Sequence, residues 1–411
     1  MKLSTDNIPY KKQIKDIADT LNGNIYFVGG TVRDLILHRP INDIDIVVFN
    51  VSYCLFAEKI KTHLKATSIN FKDNVRIIKN TTIIDVSKPR GHSIIEDLKL
   101  RDFTINSMSL DLDGNLINFA EDIKSKYITI QYDNAFLDDP LRMLRAYRLA
   151  SELNFTIQKN TIEKILQNNK LIKKVAKERI YDELYKTFTA AYFNRNYKLF
   201  IESQLYNILL DLTYDITSKK FTAKCLNNYF NNCVSFPNNR FLHIIIFLTI
   251  YHFITNKNSK NLILEKLKKI IIVRKHLVYI SKILYLLDML LNIKINNNRL
   301  NHFIFENISF IPDILFFLTI IGKSNLDKFI DKSINCEKLY NKIYYIYNGF
   351  SIDRLNEITG NDLNPLDIPN GLIFGKLLRR AQYYLVSRKC VTKEEALQKI
   401  KKIWEVIHEI Y

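Results

Sequence analysis

Residues Tyr26 to Val48 read YFVGGTVRDLILHRPINDIDIVV. An apolar run meets two glycines, a helix opened by Thr31 follows, the chain turns at Pro40, and a second apolar run begins with two acids. This order predicts strand, glycine corner, helix, strand. At such a corner Gly29 and Gly30 let backbone N–H groups approach a ligand closely, and the helix N-terminus behind them favours negative charge, so phosphate is the natural guest. A tight turn needs glycine for steric reasons alone, and that reading stays open. Asp43 and Asp45 are two apart at the start of a strand, which sends both carboxylates to one face. Like charges so close are costly unless a cation compensates them, and hard oxygen ligands suit Mg²⁺. Surface acids at a solvated strand end are the alternative.

Outward from this stretch, short β-rich runs (VRIIKN, TTIIDVS, FTINSMSLDL) alternate with helical patterns up to about residue 135. Beyond Asp138 apolar residues recur at helical spacing, as in DPLRMLRAYRLASEL and AKERIYDELYKTF. The fold expected is α+β: a mixed α/β head with a small sheet over residues 1–136, then an all-helical neck at 137–194, body at 195–350 and tail at 351–411. Asparagine-rich stretches near Asn227 to Asn232 and Asn296 to Asn298 read as loops between helices.

The chain has 411 residues, with 60 Lys+Arg against 42 Asp+Glu, a net charge of +18. Such a charge favours a polyanionic partner, although an Ile/Lys/Asn-rich coding bias produces part of it. Five scattered cysteines fit neither a disulfide framework nor a zinc site, which points to a reducing cytoplasm. The N-terminus has no apolar core of a signal peptide. The longest apolar stretch, Phe241 to Thr255, is shorter than the roughly 20 residues a membrane span needs and reads as a buried helix, with His243 and His252 as core residues. No membrane partner is expected.

The pattern GG-x-VRD, a short helix, then D-x-D at a strand start resembles the core of class II tRNA nucleotidyltransferases and the bacterial poly(A) polymerases related to them. RDFTINS at Arg101 to Ser107, DDPLRMLRAYR at Asp138 to Arg148, and ERIYDEL at Glu178 to Leu184 follow in the order that family shows. The resemblance covers most of the first 190 residues and, more loosely, the segment from Ile358. It implies a catalytic nucleotidyltransferase head, with Gly29, Gly30 and Arg33 on the triphosphate and Asp43 and Asp45 on metal ions. Asp85, in TTIIDVS, is a candidate third carboxylate or an exposed strand acid. Arg101, Asp102 and Asn106 would meet sugar and phosphates, since a carboxylate accepting from a 2′-hydroxyl distinguishes ribonucleotides. The family usually has two arginines here, and this chain has Leu100 in the first place.

Asp139 and Arg142, at spacing i, i+3, would share a helix face and offer an acceptor beside a donor fork. That pair complements the amine and ring nitrogen of cytosine and adenine and opposes guanine and uracil. The competing reading is a helix cap, with Asp139 as N-cap and Pro140 at the first helical position. Arg142, Arg145 and Arg148 recur as a basic stripe suited to triphosphate or RNA. The interval between Asp85 and Arg101 is short, where many relatives carry a longer flexible loop that helps the site switch from CTP to ATP; this raises addition of CC alone beside CCA. The activity implied is template-independent addition to tRNA 3′ ends from CTP and ATP with Mg²⁺. Poly(A) addition, or a non-catalytic RNA-binding module, are the alternatives.

Overall fold

A computed structural model describes residues 2–212, 216–232, 239–255, 260–292, 297–323, 335–369 and 371–410. The side chain of His252 and residue Asn296 lie outside the described set. The chain forms two compact units, the first made of Met1–Ala223, Pro237–Ile244 and Glu265–Ile272, the second of the remainder.

The first unit opens with a seven-stranded sheet in the order β3-β4-β5-β2-β1-β6-β7. Its strands are β1 (Asn24–Val28), β2 (Asp43–Phe49), β3 (Thr67–Asn70), β4 (Asn74–Lys79), β5 (Thr82–Ser87), β6 (Ser109–Asp111) and β7 (Leu116–Ile117). A parallel pair, β8 (Tyr127–Ile128) and β9 (Thr156–Ile157), forms a second small sheet. All neighbours in the large sheet are antiparallel except β2 and β5, which run parallel and place Asp45 opposite Asp85. On β2, Ile44, Ile46 and Val48 are buried on one face, which fixes the register and leaves Asp43 and Asp45 together on the other, ahead of the buried Val47.

Helices α1 (Lys11–Leu21), α2 (Gly29–Ile36), α3 (Tyr53–Leu64) and α4 (Ile94–Lys99) belong to the head, and α5 (Asp122–Ser125) and α6 (Ala135–Asp138) lead out of it. Then come α7 (Arg142–Leu153), α8 (Lys159–Asn168), α9 (Lys177–Thr189), α10 (Phe193–Glu202) and α11 (Leu205–Leu209). The apolar face of α7 buries Met143, Leu144, Ala146, Tyr147, Leu149 and Ala150, and the helix stops where Asn154 turns left-handed at φ 60°. Tyr147 packs edge-on against Phe200 at 5.4 Å.

The remaining helices are α12 (Ile216–Asn232), α13 (Arg240–Thr255), α14 (Lys260–Leu267), α15 (Arg274–Asn292), α16 (Asn297–Glu306), α17 (Ile311–Lys323), α18 (Cys336–Gly349), α19 (Leu372–Val386) and α20 (Lys393–Ile410). The α+β class is therefore as expected. The asparagine stretches are not loops: Asn227 to Asn232 complete α12, and Asn297 and Asn298 open α16. Asparagine is only a modest helix breaker, and packing of Cys225, Leu226 and Tyr229 outweighs it. His243 is 2% exposed, as a core histidine should be. Among the described residues no single helix is long and apolar enough to cross a membrane; one pair, Arg299–Glu306 with Ile308–Lys323, passes by length and composition but bends by 81°.

Arg148 is the main polar tie inside the helical part of the first unit. Its guanidinium pairs with Glu183 of α9 and, at 2.9 Å, with Glu152, and all three side chains are largely enclosed. Removing one member of such a group strands the others away from water. Arg148→Ala is expected to cost about 3 kcal/mol in chemical unfolding, with Arg148→Lys less damaging; an unchanged midpoint for the alanine variant would show that the tie carries no stability.

Candidate active site

The glycine corner does not wait for phosphate. Gly29 takes φ +59°, and the N–H of Gly30 donates to Asp45 Oδ2 at 3.0 Å. A Cβ on Gly29 would lie 3.1 Å from both Asp45 Oδ2 and Arg101 Nη1. The glycines leave room for the Asp45 carboxylate and the Arg101 guanidinium, which fill the space where side chains would be. Thr31 does not open the helix, which begins at Gly29 behind Val28. Fully buried, its hydroxyl instead accepts from the Asp45 N–H at 2.7 Å and donates to the Asp43 carbonyl at 3.3 Å, riveting α2 to β2.

Burial, and next the negative charge of Asp85, push the Asp45 carboxyl above the usual carboxylate range, against the pull of Arg101, Arg145 and the Gly30 N–H. Asp85 is held by Arg76 from β4, whose Nε and Nη2 reach its two oxygens at 2.9 and 2.8 Å. Asp85 raises the Arg76 guanidinium through this bidentate bond and its charge, and Asp43 and Asp45 add to the shift, so one arginine faces three acids. Among the described residues no three Asp, Glu, His or Cys side chains already converge as a metal cage. The donor set nevertheless fits a hard divalent cation. Asp43 and Asp45 share one face of β2, and Asp45 carries enclosed negative charge that its neighbours do not fully offset.

A second chain of contacts runs beside the first. Arg33 is 8% exposed, and its guanidinium is taken up by Asp34 at 3.0 and 2.9 Å and by Asn106 Oδ1 at 2.8 Å. Asn106 Nδ2 donates to Asp102 Oδ1 at 3.0 Å, which also accepts the Phe103 N–H. Arg145 Nε lies 2.9 Å from Asp102 Oδ2 but off the hydrogen-bonding direction, so this oxygen receives no hydrogen bond. Burial would raise the Asp102 carboxyl, yet Arg145, Asn106, Arg142 and the Phe103 N–H together hold it down at about 2. Arg101 gives Nε and Nη2 to the buried Asp97.

Asp139 and Arg142 do not share a helix face. Asp139 is extended (φ −144°) between α6 and α7; Oδ1 caps the Leu141 N–H at 3.2 Å and Oδ2 accepts from Arg179 of α9 at 2.7 Å. Asp139 does accept a backbone N–H ahead of α7, but the N-cap position is Leu141, two residues beyond the expected Asp139, and Pro140 precedes the helix instead of opening it. Arg142 is oriented by Tyr132: its Nη1 donates to the Tyr132 hydroxyl at 2.9 Å, and that hydroxyl donates to Asp138 at 2.5 Å. Thr31, Arg76, Tyr132 and Arg179 are site residues that the sequence reading did not single out. For Arg76 a signal existed, a charged residue at the outward position of the alternating run VRIIK.

Beside these groups lies a cleft of about 1080 Å³ whose lining includes Lys72, Arg76, Lys88, Arg90, Arg145 and Arg179 against a single acid, Asp73. The connection from β5 to α4 at its edge is braced. Ser93 caps Glu96 at 3.3 Å, the Glu96 carboxylate accepts the His92 N–H at 2.8 Å, Asp97 accepts the Arg90 N–H at 3.1 Å, and a Cβ on Gly91 would meet Glu96 Cβ at 2.5 Å. In the second unit a cavity of about 1110 Å³ is lined by Lys376, Arg379, Arg380, Tyr383, Tyr384 and Lys389, among others.

Asp102 gives a pH prediction. A carboxyl held below its unfolded value adds stability that is full above that value and is lost as pH falls through the folded one. From 3.8 down to about 2, this is worth about 2 kcal/mol at pH 7. Asp102→Asn is expected to lose that amount in denaturant unfolding at pH 7, the gap from the parent protein roughly halving by pH 3; a constant gap would contradict the charge assignment.

Residues 25–129 match the family model described as the poly A polymerase head domain, and residues 154–215 match one described as a probable RNA and SrmB binding site of polymerase A. The CCA-adding enzyme of Streptococcus uberis is 32% identical over 220 residues, covering 49% of this chain and 54% of that protein. That of Lactobacillus helveticus is 34% identical over 198 residues, covering 44% and 50%. The chain thus spans about half the length of these curated relatives. Among solved structures, the Thermotoga maritima CCA-adding enzyme complexed with tRNA aligns over 97% of this chain and 96% of its own at TM-score 0.66 and 22% identity. The Bacillus stearothermophilus enzyme in complex with CTP aligns over 99% and 100% at TM-score 0.68 and 20% identity. Residues 25–129 thus match a poly(A) polymerase head in sequence, and the chain has the fold of the CCA-adding enzymes.

Proposed function

We propose that this chain is a template-independent tRNA nucleotidyltransferase, adding CCA to the 3′ end of tRNA from CTP and ATP with release of pyrophosphate. The observation that carries the reading is the Asp45 carboxylate, held on the Gly30 N–H with Asp43 on the same strand face and Asp85 opposite it. Enzymes with such heads generally depend on a divalent metal, and Asp43 and Asp45 would hold Mg²⁺. When bound, the metal would activate the 3′-hydroxyl and offset charge on the departing pyrophosphate.

The protein's remaining task is positioning. Gly29 and Gly30 keep the corner open, and Arg33 acts through Asn106, which aims Asp102. The Asp102 Oδ2 atom, enclosed and without a hydrogen bond, suits a ribose hydroxyl. Arg101 and Arg145 stand at the phosphates. For base choice, Asp139 and Arg142 first release Arg179 and Tyr132. The Asp139–Arg179 pair is half-exposed, and such pairs contribute at most about 1 kcal/mol, so a bound base can replace it cheaply. Arg148 is assigned to structure instead of substrate. The neck, body and tail would hold tRNA by its shape and backbone, the basic, tyrosine-rich cavity on α19 being one contact. The scattered cysteines keep a cytoplasmic location as the proposed one.

The braced β5–α4 connection favours a second reading, in which only the two cytidines are added. Sequencing the products made from tRNA ending at its discriminator base, with CTP and ATP supplied, separates the outcomes. CCA or CC ends support the reading, long adenosine tails would make the protein a poly(A) polymerase, and no extension would leave a non-catalytic RNA binder. Asp43→Ala and Asp45→Ala are each expected to abolish CMP incorporation without loss of fold, judged by circular dichroism. The double variant Asp139→Ala, Arg142→Ala should accept UTP and GTP; unchanged selectivity would confine Asp139 to its capping role.

A further inference from the structure

The β3–β4 hairpin tip carries a feature that the nucleotide site does not use. Phe71 is 51% exposed, although the turn itself is well formed, with the Phe71 N–H donating to the Asn74 carbonyl at 2.8 Å. An aromatic ring open at the mouth of a cationic cleft offers a flat face on which a base can stack. The ring lies 5.8 Å from the Arg76 guanidinium, the same group that clamps Asp85. Phe71 also lines the cationic cleft with Lys72 and Lys88, and neither ammonium is paired with a carboxylate among the described residues. A flat ring beside unneutralised cations is how proteins hold single-stranded nucleic acid, the ring stacking a base and the cations tracking phosphates.

We propose that Phe71, with Lys72 and Lys88, forms the subsite for the unpaired 3′ end of the RNA acceptor, stacking its terminal base. The contacts from Phe71 through Arg76 to Asp85, opposite Asp45, then bring the terminal ribose to the carboxylates. The inference rests on the transferase reading above and adds the place where the acceptor docks.

Two measurements test it on the full chain, using a tRNA transcript that ends at the discriminator base. Phe71→Ala is expected to raise the KM for this RNA about tenfold while leaving the KM for CTP unchanged, and Phe71→Trp should restore it. The chain has one tryptophan, Trp404. In the double variant F71W/W404F the new indole should therefore be quenched by the transcript and not by CTP alone. An unchanged RNA KM without quenching, or a shift in the CTP KM instead, overturns the subsite. Quenching in a protein that transfers no nucleotide would keep the docking site and refute the transferase activity; transfer with neither effect would do the reverse.

Discussion

The site depends on one enclosed negative charge. Asp45 sits at the edge of the sheet interior, stabilised by a single backbone N–H and by the more distant charges of Arg101 and Arg145, and opposed by Asp85 on the neighbouring strand. A half-buried carboxylate with so little direct compensation carries a cost. The surrounding structure answers that cost piece by piece. Two glycines make room, Thr31 pins the strand that carries it, and Arg76 neutralises its neighbour. What remains uncompensated is what a cation and a polyphosphate would complete.

Around that charge the polar groups form two separate lines. One crosses the sheet from Asp45 to Asp85 to Arg76. The other leaves α2 at Arg33 and passes through Asn106 and Asp102 to Arg145 on α7. On the proposed function the first line would serve the reacting oxygens and the second the placement of a sugar. Asp102 is shared between Asn106 of the head and Arg145 of α7, so its orientation depends on how α7 lies on the head.

The sheet, the glycine corner and the two aspartates were legible in the sequence because each rests on short spacing. A period of two puts Asp43 and Asp45 on one face whatever the rest of the chain does. The roles of Tyr132 and Arg179 depend on partners brought together by the fold, so no local pattern could reveal them, and for Arg76 the alternating run marks only an outward charge, not its partner Asp85. Arg148 shows how a periodic pattern misleads. Positions three apart on a helix turn back by about 60° at each step, so Arg148 lies about 120° around from Arg142 and meets α9. Reading the three arginines as a single stripe ignored that drift. The asparagine-rich stretches failed for a different reason, since packing of a few large apolar residues overrides a weak local preference.

The connection from β5 to α4 is a braced corner, held by three side-chain bonds, with Gly91 packed where Glu96 leaves no room for a Cβ. An arm free to swing would let an enzyme present different walls to successive substrates. A braced corner would present the same wall each time, so on the proposed function a change of preference would be driven by the growing RNA as its end fills the cleft.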